Sequence, residues 1–490
     1  MRFIGKDPNI IDAFYTATAE GAITAGKPVI VEVDGDVTQV AETAFSQLTG
    51  TESTFESAET NYIASCYDST ANKFVIAYQD QGNSQYGTAV VCTPAANGTM
   101  SFGTPVVFSS GSAFYIATTY DSNADKTLIS YRRGSAGKSI VGTVSGTSIS
   151  FGSSADFESA AAYYNASCFD STNNKVVIAY RDQGDSNKGK AVVATISGTS
   201  VSFGTPVQFE SGATSHIACE YDSANEKVLI AYEDEGNSSY GTAIVGTVSG
   251  TSISFGTAAV FLSSAIMQSM GICYSTVASK FVIAYPNDGD SGNGETRVAT
   301  VSGTSVSFGT SVDFSTGSLG QTQVIALTYD VGADKINYFY SDSDDSNNGI
   351  VRQATLTGTD LGSFSTAAKW ESSGSAIYIS ASYDTTLNIS LVTYKNGANS
   401  NYGTANLVRP VAFNISNLTS ENYIGIAEYA ASDTETATVL IKGGVSTTQS
   451  SLTPGQTYFV QGDGTIGTSA GSPSVTAGTA VTSTKLIVKG

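Results

Sequence analysis

Hydrophobic positions in this chain come in short unbroken runs, each closed by a tyrosine. Lys73-Phe-Val-Ile-Ala-Tyr78 is typical, and Tyr131, Tyr180, Tyr232, Tyr285, Tyr340 and Tyr394 close the others. Every closing tyrosine stands eleven residues after another aromatic: Tyr67, Tyr120, Phe169, Tyr221, Tyr274, Tyr329 or Tyr383. The offset is constant, while successive anchors lie 53, 49, 52, 53, 55 and 54 residues apart. A period near fifty built from short apolar runs and Gly/Asn/Ser turns is the mark of a propeller or solenoid.

Four strands can be placed within each repeat. The first is Ile63-Ala-Ser-Cys-Tyr67 and its counterparts. Three residues before each anchor stand Ala64, Ala117, Ala166, Ala218, Gly271, Ala326 and Ser380, all small, as expected where strands converge on a central axis. The second strand is the unbroken apolar run, a pattern that fits cover on both faces by neighbouring blades. The third is Tyr86-Gly-Thr-Ala-Val-Val91 and its equivalents. A Val-Ser-Gly-Thr-Ser turn then leads into Val201-Ser-Phe-Gly-Thr-Pro-Val-Gln-Phe209, whose proline predicts an outer position.

The blade-ending aromatics are Phe55, Phe108, Phe157, Phe209, Phe261, Phe314 and Trp370. The first precedes any complete repeat, and the last repeat stops after its third strand near Arg409. Residues 42–56 are therefore expected to supply the outer strand of the last blade, which closes the ring and removes a free edge. The expected fold is all-β: a seven-bladed β-propeller of four-stranded blades over residues 42–411, closed at its N-terminal side. An open solenoid is the alternative. Residues 1–41 and 412–490 leave the repeat. Val29–Val33 and Val37–Val40 read as a hairpin, and strands are expected at 424–429, 436–441, 456–460 and 484–488. Ring closure brings the two tails together, so they are expected to form one small β-domain.

Composition alters this picture little. With 50 glycines in 490 residues and few charged ones, the chain suits strands and tight turns. The net charge of −20 and pI near 4.3 argue against nucleic acid and anionic membranes as partners, and otherwise serve solubility. The N-terminus lacks the apolar stretch of a signal peptide, and no apolar run approaches membrane-spanning length. Cys66, Cys168 and Cys273 trade with Thr119, Thr328 and Ser382 at one repeat position, which describes small buried side chains. No disulfide is expected, and without a C-x₂-C pair no zinc site.

The tails carry the recognisable motifs. Ile23-Thr-Ala-Gly-Lys-Pro-Val-Ile-Val with Asp34-Gly35, Tyr423-Ile-Gly-Ile-Ala, Leu452-Thr-Pro-Gly-Gln-Thr-Tyr-Phe-Val with Asp463-Gly-Thr, and Leu486-Ile-Val resemble a β-module of tailed bacteriophage virion proteins, of the kind found in head-decoration and tail-fibre proteins. The resemblance spans about 120 residues, leaves the repeat uncovered, and brings no catalytic residues. It implies a structural protein of the virion, assembled in the host cytoplasm beside other virion proteins, whose propeller serves host recognition by binding a surface glycan or another virion protein.

Candidate chemistry is sparse. His216, the sole histidine, occupies a slot that holds Tyr62, Tyr115, Tyr164 and Tyr378 in other repeats, so it reads as a packing aromatic. The loops after the second strand carry Asp80, Asp182, Asp234, Asp288 and Asp342 and predict one acidic, weakly binding face, shared with Glu56, Glu158, Glu210 and Glu371. Oxygens at this density make Asp182, Asp185 and Asp344 weak Ca²⁺ candidates. The same residues are ordinary turn formers, and that reading is the stronger one, so no cofactor is expected. Lys73, Lys126, Lys175, Lys227, Lys280 and Lys335 read as turn charges paired with Asp68 and its equivalents. The short basic loop Arg132–Lys138 departs from the other repeats and is a candidate contact with a neighbouring subunit in a homo-oligomer. A free glycan-binding lectin is the alternative function. A sialidase-like glycosidase is a more remote one: its Asp-box needs an aromatic after the D-x-G, and Lys188 and Asn293 stand where Tyr86 and Tyr240 would serve.

Overall fold

The computed structural model describes residues 13–266, 269–319, 325–372 and 374–489. They form two compact units, one of residues 46–412 and one of the segments on either side.

In the larger unit the constant eleven-residue offset becomes a strand register. Tyr67 pairs with Phe74 across the first hairpin, and Tyr221 with Val228 in the equivalent place. Four hydrogen-bonding strands follow one another as an antiparallel meander, illustrated by Val207–Asp222, Lys227–Asp234, Tyr240–Ser249 and the pair Ser252–Phe255 with Ala259–Ala265. The pairing of a first with a second strand recurs seven times among the described residues. This is a β-propeller architecture. Phe74, Val75, Ile76, Ala77 and Tyr78 are wholly buried, as an apolar run covered on both sides must be. Burying such side chains stabilises by about 1.5–3 kcal/mol each, which is why the second strands are the least polar part of the chain.

The outer strand is not continuous. Ser200–Phe203 pairs with Ala194–Ser197, and the chain then breaks at Gly204-Thr-Pro206 before Val207 pairs with Ala191. Proline occupies the break, where its missing N–H costs nothing. The glycine there answers a contact. A Cβ on Gly103, Gly152, Gly204, Gly256 or Gly309 would collide with the carbonyl oxygen of Thr147, Thr199, Thr251, Thr304 or Thr359 in the following repeat's hairpin turn. The turn of one meander thus seats on the outer strand of the one before it.

At the N-terminal side, Ser53, Thr54, Glu56 and Glu59 pair with Ala405, Thr404, Gly403 and Tyr402, the third strand of the last meander. Leu48 and Thr49 extend that pairing to Arg409 and Val408. Residues 42–45, expected in the same strand, pair instead with Phe413–Ser416 in the smaller unit, and the larger unit begins at Ser46. The hairpin lysines also differ from expectation. Asp68, Asp121 and Asp222 are buried and accept turn amides such as Ala71 N, Ala124 N and Asn225 N. Lys126 and Lys227 donate to turn carbonyls instead. An aspartate that closes its own turn is no longer placed to face the lysine. All five cysteines are free and buried.

The smaller unit holds two five-stranded sheets. One runs Phe14–Thr18, Thr436–Leu440, Tyr423–Ala427, Pro28–Val31, Val37–Gln39. The other runs Val445–Ser446, Leu486–Val488, Val475–Ala480, Thr457–Val460, Ile466–Gly467. Ile30, Val40, Tyr423, Leu452, Tyr458 and Leu486 share one core. The first hairpin strand stops at Val31, where a turn closed by Gly35 N on the Glu32 carbonyl begins, and Val33 is fully exposed. The sequence gives little warning of Val475–Ala480: its Thr, Ala and Gly residues form no large-apolar alternation.

Candidate functional site

The first strands of the repeats together line one open passage of about 260 Å³ in the larger unit. Its wall is made of Ala64, Ala117, Ala166, Ala218, Gly271 and Ala326 with their neighbours. Large side chains are excluded here by convergence, as the small-residue column anticipates. At one end of this wall the pattern reverses and aromatic rings appear.

The reversal has a backbone cause. Asn61 pairs with Gln79 and Ala64 with Ala77, so Tyr62 and Ile63 face the single residue Tyr78. The same one-residue bulge sets Tyr115, Tyr164, His216 and Tyr378, each with its successor, against the closing Tyr131, Tyr180, Tyr232 and Tyr394. The five bulged aromatics have φ of 50, 52, 52, 47 and 53°. That left-handed conformation costs a non-glycine residue about 1–2 kcal/mol, and glycine is the usual occupant of such bulges.

The five rings pack side by side in an arc, each tilted on the next by 51–60°. Centroids are 5.3 Å apart for Tyr378 and Tyr62, 5.1 Å for Tyr62 and Tyr115, 5.2 Å for Tyr115 and Tyr164, and 5.0 Å for Tyr164 and His216. The arc borders a cavity of about 490 Å³ whose other walls include Ile217, Met270 and Ile379. In the next repeat the slot holds a small residue, Ser269, so the arc opens there. Beside it Tyr115, Tyr163 and Tyr164 continue with Arg181, Gln183 and Asn187 around a groove of about 290 Å³.

Charged groups steady the rings. The Arg132 guanidinium lies 4.3 Å from the Phe114 centroid and 4.6 Å from that of Tyr163, and donates to the Tyr163 hydroxyl at 3.2 Å. Lys395 donates to Glu59 and Asn61 beside the Tyr378 ring. His216 Nε2 is 3.6 Å from Glu233, whose carboxyl is pushed up chiefly by burial. Ser215 Oγ donates to the same Glu233 carboxylate at 2.7 Å. The arc offers flat apolar faces, phenol hydroxyls and nearby amides. That is equipment for holding a ligand.

The closing tyrosines support the rim from below. Tyr78, Tyr180 and Tyr232 donate at 3.0 Å to Glu56, Glu158 and Glu210 at the ends of outer strands. Burial first, and then the adjacent carboxylate, raises each phenol far above its ordinary value.

The acidic loops are turns. Asp80, Asp182 and Asp342 begin short 3₁₀ turns and accept Asn83 N, Gly184 N and Asp344 N at 2.8–3.1 Å; Asp234 begins one without such a bond. The slot predicted for Asp288 belongs to Asn287, one residue earlier, which accepts Gly289 N. Burial followed by Glu56 raises Asp80, and burial followed by Glu210 raises Asp234, so these carboxylates do crowd one rim. Of the Ca²⁺ candidates, Asp182 and Asp185 already share the Lys190 ammonium at 2.7 and 3.1 Å, which with Lys188 holds the Asp185 carboxyl below its usual range. Asp344 lies near Asp342 and belongs to no close trio of potential ligands among the described residues. The one close trio of potential ligands among the described residues is Asp290, Glu295 and Asp313, within 4.8 Å. In the basic loop Arg132 stacks on aromatics and Lys138 pairs with Asp156, while Gly134 and Ser135 at its tip are exposed.

Sequence reading placed the five arc residues in one slot but took them as packing. Their signal was there: an aromatic recurring in a strand otherwise restricted to small residues. What it lacked was the bulge, which no composition reveals.

No protein family and no curated protein matches the chain. Solved structures similar to it include the Cps50 (Swd1) β-propeller domain of Myceliophteria thermophila, at 10% identity and TM-score 0.46 over 73% of this chain and 99% of that one. Another is the Dos1 propeller, at 10% identity and TM-score 0.43 over 74% and 95%. AofleA of Arthrobotrys oligospora is 9% identical, with TM-score 0.42 over 73% and 96%.

Proposed function

We propose that this chain is a non-enzymatic recognition protein in which seven blades close into a ring and present the aromatic arc to a glycan. Closure draws support from the strand Ser53–Glu59 on the last meander and from contacts between the first and last inner strands. Ser65 N donates to Ser380 Oγ at 3.0 Å, and the hydroxyls of Ser65 and Ser382 are 2.7 Å apart. The observation that carries the binding role is the arc itself: four tyrosines and a histidine kept in a backbone conformation that favours glycine, around a cavity of about 490 Å³. Sugar rings stack on such faces through their C–H bonds while their hydroxyls meet Tyr, Arg and Gln. The setting we propose is the surface of a tailed-phage virion, with the smaller unit as the attachment module; the motifs of the tails support it.

A glycan array probed with the full chain tests the binding role. Binding of at least one glycan class, reduced tenfold or more by Tyr115→Ala or Tyr164→Ala, is expected. No retained glycan, or retention indifferent to both substitutions, refutes it. Mass spectrometry of purified particles tests the setting, and hydrolysis of fluorogenic glycosides by the chain would replace recognition with catalysis.

A further inference from the structure

The end of the passage away from the arc carries an anomaly. The residue just before each anchor aromatic is Cys66, Thr119, Cys168, Cys273, Thr328 or Ser382 in six repeats, small and weakly polar in each. In the remaining repeat it is Glu220. Four residues separate Glu220 from His216 along the strand, about 13 Å at 3.3 Å per residue, so the two groups serve different ends.

Glu220 lines a cavity of about 370 Å³ together with Tyr221, Tyr274, Tyr329, Tyr383 and Thr328. The cavity shares Ile272, Leu327 and Ala381 with the passage, and Glu220 is the sole carboxylate or basic side chain among the residues lining either. Its carboxylate accepts the adjacent Tyr221 N at 2.8 Å, and no ion pair engages it among the described residues. Burial pushes its pKa up to about 7. The surrounding phenols are tied outward: Tyr221 donates to Thr172 at 2.7 Å, Tyr329 to Asp334 at 2.8 Å and Tyr383 to Asp330 at 2.6 Å.

A partly buried carboxylate without a counter-charge is costly once ionised, and six repeats show that the position folds without it. Aromatic walls attract positive charge, an acidic chain repels anions, and the volume exceeds that of a bare metal ion with its ligands. We propose that this end of the passage binds a small organic cation, an ammonium group on an apolar framework, with Glu220 as its counter-ion. This site is independent of the glycan reading and stands or falls without it.

Calorimetry and thermal unfolding of the full chain with choline, tetramethylammonium and butylammonium test the proposal at about pH 8, where the carboxylate is ionised. Dimethylbutanol, the uncharged isostere of choline, is the control. At least one cation is expected to bind saturably and raise the Tm, the alcohol to do neither, and Glu220→Gln to weaken binding about tenfold or more. Glu220→Thr, which installs the residue of two other repeats, keeps the test clear of misfolding and is expected to lose the response equally. Failure of all three cations, equal binding of the alcohol, or undiminished binding by both variants overturns the site.

Discussion

Single residues in this protein act through what they meet across a repeat boundary or a strand. Tyr180 is wholly buried and donates to Glu158. Its phenol stays protonated across the accessible pH range because burial and that carboxylate both oppose ionisation. Tyr180→Phe is expected to cost about 1.5–3 kcal/mol, the range for a hydrogen bond to a charged group, and Tyr180→Ala about 3–5 kcal/mol. Denaturant unfolding of the two variants separates the bond from the ring. Glu220 predicts the opposite sign. Its folded-state pKa of about 7 exceeds the ordinary 4.5, so the native chain binds its proton more tightly than the unfolded one. Its contribution to stability is greatest below 4.5 and falls as pH rises to 7, above which the full penalty remains. Glu220→Gln should flatten that part of the stability–pH curve and raise the Tm at pH 8, measured without added cation.

At the scale of the strand, the bulge is the working device. It turns the inner strand at its end and sends an aromatic into the mouth, with a closing tyrosine opposite. Glycine in a regular strand is worse than alanine by about 0.5–1 kcal/mol. At a φ of 52° the order should invert, so Tyr164→Gly is expected to be the more stable of Tyr164→Gly and Tyr164→Ala by about 1 kcal/mol. Both should lose glycan binding alike, which divides the strain from the ring's use. The outer strand gives a second test. Gly204→Ala must displace the Thr251 carbonyl of the next repeat, and a loss of about 1–3 kcal/mol is expected in thermal or denaturant unfolding. The apolar second strands and Gly-bearing turns were legible because their causes are local. The split of the outer strand was half legible: Pro206 marked an outer position, but the collision that requires Gly204 lies in another repeat.

For the molecule as a whole, the strand Ser53–Glu59 is the decisive join. Deleting residues 46–59 exposes Tyr402–Arg409 as an unpaired edge. Such a variant should aggregate, or unfold at a clearly lower temperature with less cooperativity, in size-exclusion and calorimetric measurements. A deletion that left the transition unchanged would remove the case for closure through this strand. The seam could be read from the chain because a blade-ending phenylalanine, Phe55, stands before any complete repeat. Its start was placed too early, since nothing local in residues 42–45 shows that they pair with residues 413–416.

The sequence by itself determined the repeat, the pairing within each first hairpin and the small-residue wall, because the same short local pattern of apolar, small and turn residues recurs about every fifty positions. It also placed Tyr62, Tyr115, Tyr164, His216 and Tyr378 in a single slot. Only the tertiary structure decided that those five become a contiguous arc, that Asn287 and not Asp288 begins its turn, and that Glu220 stands without a counter-charge. Those outcomes depend on one-residue bulges and on which neighbouring strand a side chain meets. Both are settled by packing between distant segments, to which a pattern of polar and apolar positions is blind.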